Sequence, residues 1–400
     1  MKEAVIFGAG NVGRGFIGQL YSEAGYQVTL VDVDERLIGA LQERGRYTIQ
    51  LVDNESSEQV QIAPVRALHS VRQAEEVAEA LARASLAATA VGARVLPLIA
   101  PLVAQGIQRK ASAAKRMDGG AGDQPLNLII CENLKDAAAT FRGMVEEHLD
   151  EAGRAYAREN VGFVDTVIGR MVPPPTPEML AEDPSRILVE PYRELPVDRQ
   201  AFIGPLPDIR GLVACDNFPA YTARKLYIHN CGHAVLAYLG YLRGYTYGYE
   251  ALEDPKIRAA MESALAESRE GIVAEYGVAG EWLEAHTRDL LRRFANRALG
   301  DTIFRLGRDP IRKLAAKDRL VGAARLAEKA GIRPEACSLG IAAALCFDPA
   351  EDPISVALQE RLNSAGLEAT LAEVSGIQAG EVLGALVQEK YLELRNKNSV

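Results

Sequence analysis

The residues best suited to chemistry lie in one predicted helix, within residues 217–241. Its apolar residues fall on every side of an α-helical wheel, a pattern typical of a buried helix. The same helix carries Lys225, His229, Asn230 and His233, which share one broad sector when each residue turns by about 100°. A buried lysine is costly unless it is paired or functional, and burial lowers a lysine's pKa toward the range of a general base. The sequence therefore predicts that Lys225 is buried and acts as a base.

The elements that must bring a reactant to this helix begin at the start of the chain. Residues 4–7 predict a short buried strand, and residues 8–13, Gly-Ala-Gly-Asn-Val-Gly, follow it at once. A helical pattern over residues 14–25 and a second strand over 26–31 come next, and the second strand ends at Asp32. Strand, G-x-G-x-x-G, helix, strand and acid in this order are typical of a dinucleotide-binding unit.

The three glycines of this pattern have separate predicted roles. Gly8 permits the tight turn, Gly10 lets the backbone approach a pyrophosphate, and Gly13 lets helix and strand pack closely. The helix start supplies free amides for the phosphates. Asp32 follows Gly13 by 19 residues and is placed to hold a ribose 2′-hydroxyl, where it would repel a 2′-phosphate. NAD is therefore the expected cofactor. The alternative is a glycine-rich turn with a chance aspartate at a strand end.

Further strands of the same kind end at polar residues. Residues 85–91 predict a buried strand that ends at Gly92, and residues 126–130 predict another that runs into Cys131-Glu-Asn133. The carboxyl ends of parallel strands are where ligands bind, so Asn133 is a candidate contact. A helix N-cap at Asn133 explains the sequence equally well.

A second charged group stands at the start of a helix predicted over residues 310–330. Asp309 is a good N-cap, and the proline after it is a good first residue. Arg312 and Lys313 then fall in the first turn, where positive side chains are disfavoured unless an anion binds there. A solvated helix start with salt bridges to Asp309 and Asp318 explains the same pattern. The carboxylate of Asp309 would also compete with an anion for the helix amides.

Composition and charge exclude several classes of protein. The chain has 400 residues, 48% of them hydrophobic and 25% charged, with a net charge of -9. This acidic balance argues against a general nucleic-acid or membrane-surface binder. Five cysteines without a C-x-x-C pair suit a reducing compartment and no structural zinc. The first residues enter a strand rather than a signal peptide, and no apolar run approaches the ~20 residues of a membrane helix. We expect a cytoplasmic enzyme with a small-molecule substrate, as a monomer or a small homo-oligomer.

The change in pattern along the chain predicts two domains. Residues 1–195 alternate strands and helices, whereas residues 196–400 become almost entirely helical. The expected fold is an α/β Rossmann-type dinucleotide-binding domain followed by a mostly α-helical substrate and catalytic domain. Within the first domain, residues 106–125 are basic and then glycine-rich, which predicts a helix end and an exposed loop.

With these motifs in order, the chain resembles the long-chain mannitol dehydrogenase family. The resemblance covers nearly all of both predicted domains. It is carried by residues 7–18, Thr89-Ala-Val-Gly92, Cys131-Glu-Asn133, Val161-Gly-Phe-Val-Asp165, Arg224-Lys-Leu226, Asn230-x-Gly-His233, Pro310-Ile-Arg-Lys-Leu314 and Asp318-Arg-Leu320.

The resemblance implies the roles of the lysine motif K-x(4)-N-x(2)-H. In it Lys225 is the general acid and base, Asn230 polarises or holds the reacting oxygen, and His233 orients the substrate. Asn133 is similar to the family's second amide at that oxygen. The implied reaction is metal-independent hydride transfer between NAD and a polyol, with D-mannitol 1-phosphate and D-fructose 6-phosphate as the expected pair.

Pattern and resemblance together name the candidate binding residues. The expected cofactor contacts are Phe7, Gly8, Gly10, Asn11, Val12, Gly13, Asp32, Val91, Gly92 and Asn133. The expected substrate contacts are Arg312, Lys313, His229 and Arg170. No metal ligand is expected.

The chain departs from the family at two places. Members commonly have an acid before the arginine that here is Arg170, where this chain has Gly169, and a glutamate shortly before the lysine, where it has Thr222 and Ala223. The proton route and the exact polyol therefore stay open. The alternatives are a dehydrogenase for non-phosphorylated polyols, a reductase for fructuronate or tagaturonate, and a non-catalytic NAD-sensing protein. The intact lysine motif argues against the last.

Overall fold

The computed structural model describes residues 2–116 and 124–397, so the glycine-rich part of the predicted loop over 106–125 lies outside the described residues. The chain forms two compact units, Met1–Phe218 and Pro219–Val400. This division lies further along the chain than the boundary predicted near residue 195. The intervening residues include two strands that pair with each other, Leu195–Asp198 and Leu212–Cys215, and both belong to the first unit.

The first unit contains a six-stranded parallel sheet in the order β5-β2-β1-β6-β7-β8. A three-stranded sheet, β4-β3-β9, and a two-stranded sheet, β10-β11, accompany it. The strands are β1 Lys2–Phe7, β2 Tyr26–Asp32, β3 Tyr47–Val52, β4 Ser57–Ile62, β5 Val65–His69, β6 Leu86–Thr89, β7 Leu126–Ile130, β8 Val161–Asp165, β9 Ile187–Val189, β10 Leu195–Asp198 and β11 Leu212–Cys215.

Both faces of the six-stranded sheet are buried, as apolar runs in parallel strands predict. In β1, Ala4 and Ile6 pack into one core while Val5 and Phe7 pack into another. The covering helices are α1 Gly18–Glu23, α2 Glu35–Arg44, α3 Ala74–Arg83, α4 Leu96–Arg116, α5 Ala137–Glu146 and α6 Glu151–Asn160. The short helix α7 Pro177–Glu182 follows β8 and has no buried residue. A π-helix over Gly13–Ile17 leads directly into α1. The predicted Rossmann-type fold is therefore confirmed.

The second unit is built from helices. They are α8 Phe218–Ala223, α9 Cys231–Leu242, α10 Gly248–Glu253, α11 Pro255–Tyr276, α12 Gly280–Phe294, α13 Ile303–Gly307, α14 Pro310–Lys313, α15 Val321–Lys329, α16 Glu335–Leu345, α17 Pro353–Thr370 and α18 Val382–Lys397. Two π-helices, Arg224–Asn230 and Leu371–Ser375, interrupt the α-helical pattern. The mostly helical second half is confirmed. Among the described residues, no helix is both long and apolar enough to cross a membrane.

Two predicted elements are wrong in detail. The helix expected over 310–330 is broken into α14 and α15, because residues 314–320 form turns. The apolar run Ala201-Phe-Ile203, which by its sequence could form an edge strand, instead begins at the end of a 3₁₀ turn, Arg199–Ala201, where the side chain of Asp198 accepts a hydrogen bond from the Gln200 amide at 3.0 Å. Local apolar residues predicted these elements without regard to the turn-forming aspartates beside them.

Candidate functional site

The glycine-rich loop after β1 has the shape needed to hold a pyrophosphate. Gly8 has φ +97°, and a Cβ added there would collide with the carbonyl of Ala90. A Cβ at Gly13 would collide with the carbonyl of Gly8, so these two positions exclude larger residues. Gly10 has no atom within 4 Å of the place a Cβ would take. The loop is therefore tightly packed on the protein side and open at Gly10, which fits the approach of a dinucleotide backbone.

Asp32 is held in place at the end of β2 by backbone amides. Its Oδ2 accepts a hydrogen bond from the Ala9 amide at 2.7 Å, and Oδ1 accepts from Val33 at 2.7 Å and Asp34 at 3.1 Å. A carboxylate has about four acceptor sites, so these three bonds leave room for a further hydroxyl donor. The bond to Ala9 ties the acid to the glycine-rich loop. The geometry fits a ribose hydroxyl and disfavours a phosphate at the same place.

Replacing Asp32 with serine is expected to raise the ratio of kcat/KM with NADP to kcat/KM with NAD by about tenfold or more, because the like-charge repulsion against a 2′-phosphate is removed. Steady-state rates with each cofactor measure this ratio. Asp34→Asn is a matched control, since Asp34 lies two residues away and caps α2 by accepting from the Leu37 amide at 3.0 Å. Equal use of both cofactors by the wild-type chain would contradict the assignment.

Arg14, which sequence reasoning missed, braces the glycine-rich loop. Arg14 is 4% exposed, its Nε donates to the Ala9 carbonyl at 2.5 Å, and its guanidinium donates to the Ser185 carbonyl. The Tyr47 hydroxyl donates to the Arg14 carbonyl at 2.9 Å. Arg14 follows Gly13 in the sequence, but nothing local indicates that residue 185 lies against it.

The ends of β6 and β7 form another part of the same sheet edge. Val91 and Gly92 follow β6, and Gly92 has φ +87°. Asn133 follows β7 and is exposed. The N-cap position of α5 is taken by Asp136, so the alternative reading of Asn133 as a helix cap is wrong. Asn133 is thus free of a capping role and stands where parallel strands present ligand contacts.

Lys225 and Asn230 of the lysine motif lie in the π-helix Arg224–Asn230, and His233 lies in α9. The Cys231 amide donates to the Leu226 carbonyl, five residues back, where an α-helix would bond four residues back. Because a π-helix turns through a smaller angle per residue, Asn230 lies on nearly the same side of the helix as Lys225. On an α-helical wheel the two residues would lie far apart. The α-helical wheel was therefore wrong here, and the true geometry groups the motif more tightly. π-Helical turns of this kind often occur at functional sites.

Lys225 is partly buried rather than fully buried, unlike the prediction. The helix that follows it is buried as predicted, with nine of the twelve residues of α9 inside the core. The lysine is thus held on a rigid, packed helix while its own side chain stays reachable. Partial burial of this kind suits a group that must exchange protons with a substrate.

Three histidines of the second unit surround Lys225. The rings of His229 and His233 lie 5.1 Å apart, and His233 stacks on Phe294 at 3.7 Å. Burial, followed by the charge of Lys225, lowers the pKa of both His229 and His233 well below the usual histidine range. Burial, followed by the charges of Arg224, Arg293 and Lys225, lowers the pKa of His286 to about 2. These imidazoles are neutral at physiological pH and can act only as hydrogen-bonding groups.

Sequence reasoning missed Arg305 and Arg319, two arginines near the lysine motif. Burial, followed by the charges of Lys225, Arg305, Arg293 and Arg319, lowers the pKa of His233. Arg305 pairs with Asp301, and Arg319 Nε pairs with Asp318 Oδ1 at 2.7 Å. Arg319 lies in the block Asp318-Arg-Leu, so the sequence could have indicated it as a site residue. No motif around Arg305 indicates a role in the site.

Lys313 and Arg312 differ in their burial and in their hydrogen-bond partners. Lys313 is 4% exposed, and its Nζ donates to the Arg308 carbonyl. Burial, with the charges of Arg319 and Arg312, lowers its pKa to about 7. Arg312 is exposed, and its Nε pairs with Asp309 Oδ2 at 2.6 Å.

Asp309 does not cap α14 as predicted. It has φ +62° and its side chain makes no capping bond, because the carboxylate pairs with Arg312 instead. The salt bridge expected by the alternative reading is therefore present at Arg312. The helix amides are not occupied by Asp309, which removes the competition that the sequence suggested.

Arg170 lies among backbone carbonyls of the first unit. It is 4% exposed, Nε donates to the Glu190 carbonyl at 2.8 Å, and Nη1 donates to the Gly15 carbonyl at 2.9 Å and to Gln19 Oε1 at 2.7 Å. Its guanidinium also lies 5.3 Å from the centre of the Phe16 ring. We therefore assign Arg170 to the packing that supports the helix after the glycine-rich loop, rather than to substrate.

Arg170→Met is expected to lower the free energy of unfolding by about 2–4 kcal/mol, because buried carbonyls lose their donor. Urea denaturation measures this change. The KM for the sugar substrate should stay within about twofold of wild type if the residue has only this role. A large rise in KM with unchanged stability would instead indicate that Arg170 contacts the substrate.

Over residues 2–116 and 124–397, no three His, Cys, Asp or Glu side chains are grouped so that they could hold a metal ion.

The first unit, with its glycine-rich loop after β1 and its acid at the end of β2, defines a Rossmann-type dinucleotide-binding protein. Residues 2–211 match the family model of the mannitol dehydrogenase Rossmann domain, and residues 217–395 match that of the mannitol dehydrogenase C-terminal domain. The chain belongs to the mannitol dehydrogenase family.

Named relatives and solved structures agree with this membership. Mannitol-1-phosphate 5-dehydrogenase of Bacillus subtilis (strain 168) is 39% identical over 387 residues, which is 97% of this chain and 99% of that protein. The protein of the same name from Geobacillus thermodenitrificans is 37% identical over 398 residues, covering 98% and 99%. The ternary complex of Pseudomonas fluorescens mannitol 2-dehydrogenase with NAD and D-mannitol has a TM-score of 0.75 at 18% identity, covering 99% of this chain and 92% of that chain. The last likeness supports the fold alone.

Proposed function

We propose that this chain is an NAD-dependent dehydrogenase that interconverts D-mannitol 1-phosphate and D-fructose 6-phosphate. Two near-full-length relatives, 39% and 37% identical, carry the name mannitol-1-phosphate 5-dehydrogenase. The observation that carries the proposal is the set of cations around the lysine motif. The charges of Arg305 and Arg319 contribute to the lowered pKa of His233, and those of Arg319 and Arg312 to the lowered pKa of Lys313. Each of these arginines also pairs with an aspartate, so the buried Lys313, whose Nζ donates to the Arg308 carbonyl, is the cation best placed to favour a substrate with a strong negative charge.

The cofactor side of the proposal rests on the first unit. Gly8, Gly10 and Gly13 leave the loop open for a pyrophosphate, and Asp32 is oriented for a ribose hydroxyl. Phe7, Asn11, Val12, Val91 and Gly92 are the further proposed cofactor contacts, all at the carboxyl edge of the sheet. Bound NAD would supply the acceptor for a hydride from the alcohol carbon. These residues bind and orient, and take no proton themselves.

The second unit supplies the acid–base chemistry. In alcohol oxidation, neutral Lys225 takes the proton of the reacting hydroxyl, and in ketone reduction its ammonium returns that proton to the carbonyl oxygen. Asn230, on the π-helix close to the side of Lys225, donates a hydrogen bond to the same oxygen. Asn133 is the proposed second donor. His233 and His229, held neutral, position the sugar hydroxyls without competing for the proton.

Lys313 and Arg312 are proposed to hold the phosphate, with Arg305 and Arg319 completing the positive field. Lysine and arginine bind phosphate by charge-assisted hydrogen bonds. A bound phosphate also gives a reason for a buried lysine whose pKa is about 7, since the anion would stabilise its charged form.

A substrate panel tests the proposal directly. Fructose 6-phosphate, fructose, fructuronate and tagaturonate are each offered with NADH, and loss of NADH absorbance is followed. Fructose 6-phosphate is expected to have a kcat/KM at least about a hundredfold above that of fructose, from two charge-assisted contacts. Preference for fructose would indicate a polyol dehydrogenase, and preference for a hexuronate would indicate the corresponding reductase. Binding of NADH without turnover of any sugar would indicate a sensor.

A further inference from the structure

A buried carboxylate at the sheet edge has no part in the mechanism above. Glu132 follows β7, is 7% exposed, and reaches across to the end of β6. The Thr89 hydroxyl donates to its Oε2, and the Val91 amide donates to its Oε1 at 3.0 Å. The amides of Gly92 and of Glu132 itself also favour its charged form. Every one of these partners is a neutral donor.

The hydrogen bonds to Glu132 favour its ionised form over the neutral acid. The backbone amides can only donate and an ionised carboxylate only accepts, so the two are matched, and the Thr89 hydroxyl can donate to the carboxylate as well. Burial opposes the charge and raises the pKa of Glu132, while the donors lower it. Burial is the larger effect, so the pKa of Glu132 is raised overall, and none of the neutral donors would cancel the charge that the ionised form presents to a cationic ligand.

The position of Glu132 in the sheet indicates which cationic ligand its carboxylate would interact with. The strand order changes direction between β1 and β6, and dinucleotides bind across this point. Asp32 ends β2 on one side of β1 and marks the adenosine half of the cofactor. β6 and β7 lie on the other side of β1, so Glu132 belongs to the nicotinamide half. The segment it holds also packs on the glycine-rich loop, since the Ala90 carbonyl leaves no room for a Cβ at Gly8.

We propose that Glu132 makes the cofactor site selective for redox state, favouring the oxidised, cationic nicotinamide ring over the reduced, neutral one. The inference rests on the proposed NAD-dependent function. As a consequence, the equilibrium between enzyme-bound NADH with ketone and enzyme-bound NAD+ with alcohol would shift toward NAD+ and alcohol. With NADH bound, hydride transfer to the sugar carbonyl carbon would leave a positive charge on the ring, which Glu132 would stabilise, and Lys225 would supply the proton to the carbonyl oxygen. Glu132 is a positioning residue, because it also fixes Val91 and Gly92.

Calorimetric titration of the full chain with NAD+, NADH and ADP-ribose tests this. Glu132→Gln keeps the size of the side chain and removes its charge. We expect the Kd for NAD+ to rise about tenfold, the Kd for NADH to change less than about twofold, and the Kd for ADP-ribose, which lacks the ring, to stay unchanged. Glu3→Gln is the matched control, since Glu3 is a carboxylate of the same unit paired with Arg83 at the surface. Its three affinities should equal those of wild type.

A second variant separates charge from loop geometry. Glu132→Asp keeps the charge but shortens the side chain, so it should retain most of the preference for NAD+, and it also serves if the glutamine variant fails to fold. Equal losses for all three ligands in Glu132→Gln, or a preference lost in Glu132→Asp, would overturn the proposal in favour of a purely structural role. A wild-type chain that binds neither NAD+ nor NADH would instead overturn the proposed function itself.

Discussion

Lys225→Ala is expected to lower kcat for both alcohol oxidation and ketone reduction by about 10²- to 10⁴-fold, the usual contribution of a general acid or base. The proton of the reacting hydroxyl would then have no acceptor, and the carbonyl oxygen would have no donor. Steady-state rates with mannitol 1-phosphate and fructose 6-phosphate measure the loss. In the wild type, the pH profile of oxidation should show a limb that rises toward high pH as Lys225 loses its proton, and the variant should lack it.

The same variant should bind NADH almost as wild type does, since Lys225 lies outside the glycine-rich loop and the sheet edge of the first unit. Fluorescence titration with NADH checks this. Lys329→Ala is a matched control, because Lys329 is an exposed lysine of the second unit paired with Glu275. Near-normal turnover of Lys225→Ala, or a requirement for an added divalent metal, would contradict the mechanism.

Lys313→Met and Arg312→Ala are each expected to raise the KM for fructose 6-phosphate by roughly ten- to a hundredfold. Charge-assisted contacts to a phosphate are typically worth about 1.5–3 kcal/mol each. The effect at Arg312 should be the smaller, since its pairing with Asp309 already uses part of its charge. The kcat/KM for fructose should barely change. Arg258→Ala, which removes an exposed arginine paired with Glu262 in the same unit, is the control.

The pH dependence gives a further readout of Lys313. Its pKa of about 7 means that the substrate-free chain loses this charge as the pH rises through neutrality. The wild-type KM for fructose 6-phosphate should therefore increase above pH 7, and Lys313→Met should flatten this increase. Equal losses for the phosphorylated and the unphosphorylated sugar would show that the basic pair is structural, and that the phosphate contact lies elsewhere in the second unit.

Elements whose signals are local could be predicted from the sequence. The dinucleotide-binding unit is an example, because a strand, a glycine turn, a helix and an acid follow one another within about thirty residues. Helix α11 is another, since Asp254 caps its start and Gly277 ends it in a left-handed conformation. Each of these boundaries depends on the conformational preference of one or two residues.

Features that depend on distant partners could not be predicted. Arginine is a residue type that often contacts ligands, yet the guanidinium of Arg170 donates to the Gly15 carbonyl, which is 155 residues away in the sequence. Glu132 meets Thr89 across 43 residues, and the cations near His233 come from α13 and the turn after α14. The π-helix at Lys225 is a third case, because residue preferences do not separate a five-residue from a four-residue hydrogen-bond repeat.

The sequence by itself determined the class of this protein: its two halves, its dinucleotide loop, its acid at the ribose position and its lysine motif. Tertiary structure decided which side chains stay accessible and which are used in packing. It placed Arg170 among backbone carbonyls, left Lys225 partly exposed, buried Lys313, and brought the charges of Arg305 and Arg319 near enough to lower the pKa of His233. The physical reason is that local patterns record backbone preference and burial periodicity. Charge and hydrogen-bond partners depend instead on residues that only folding brings together.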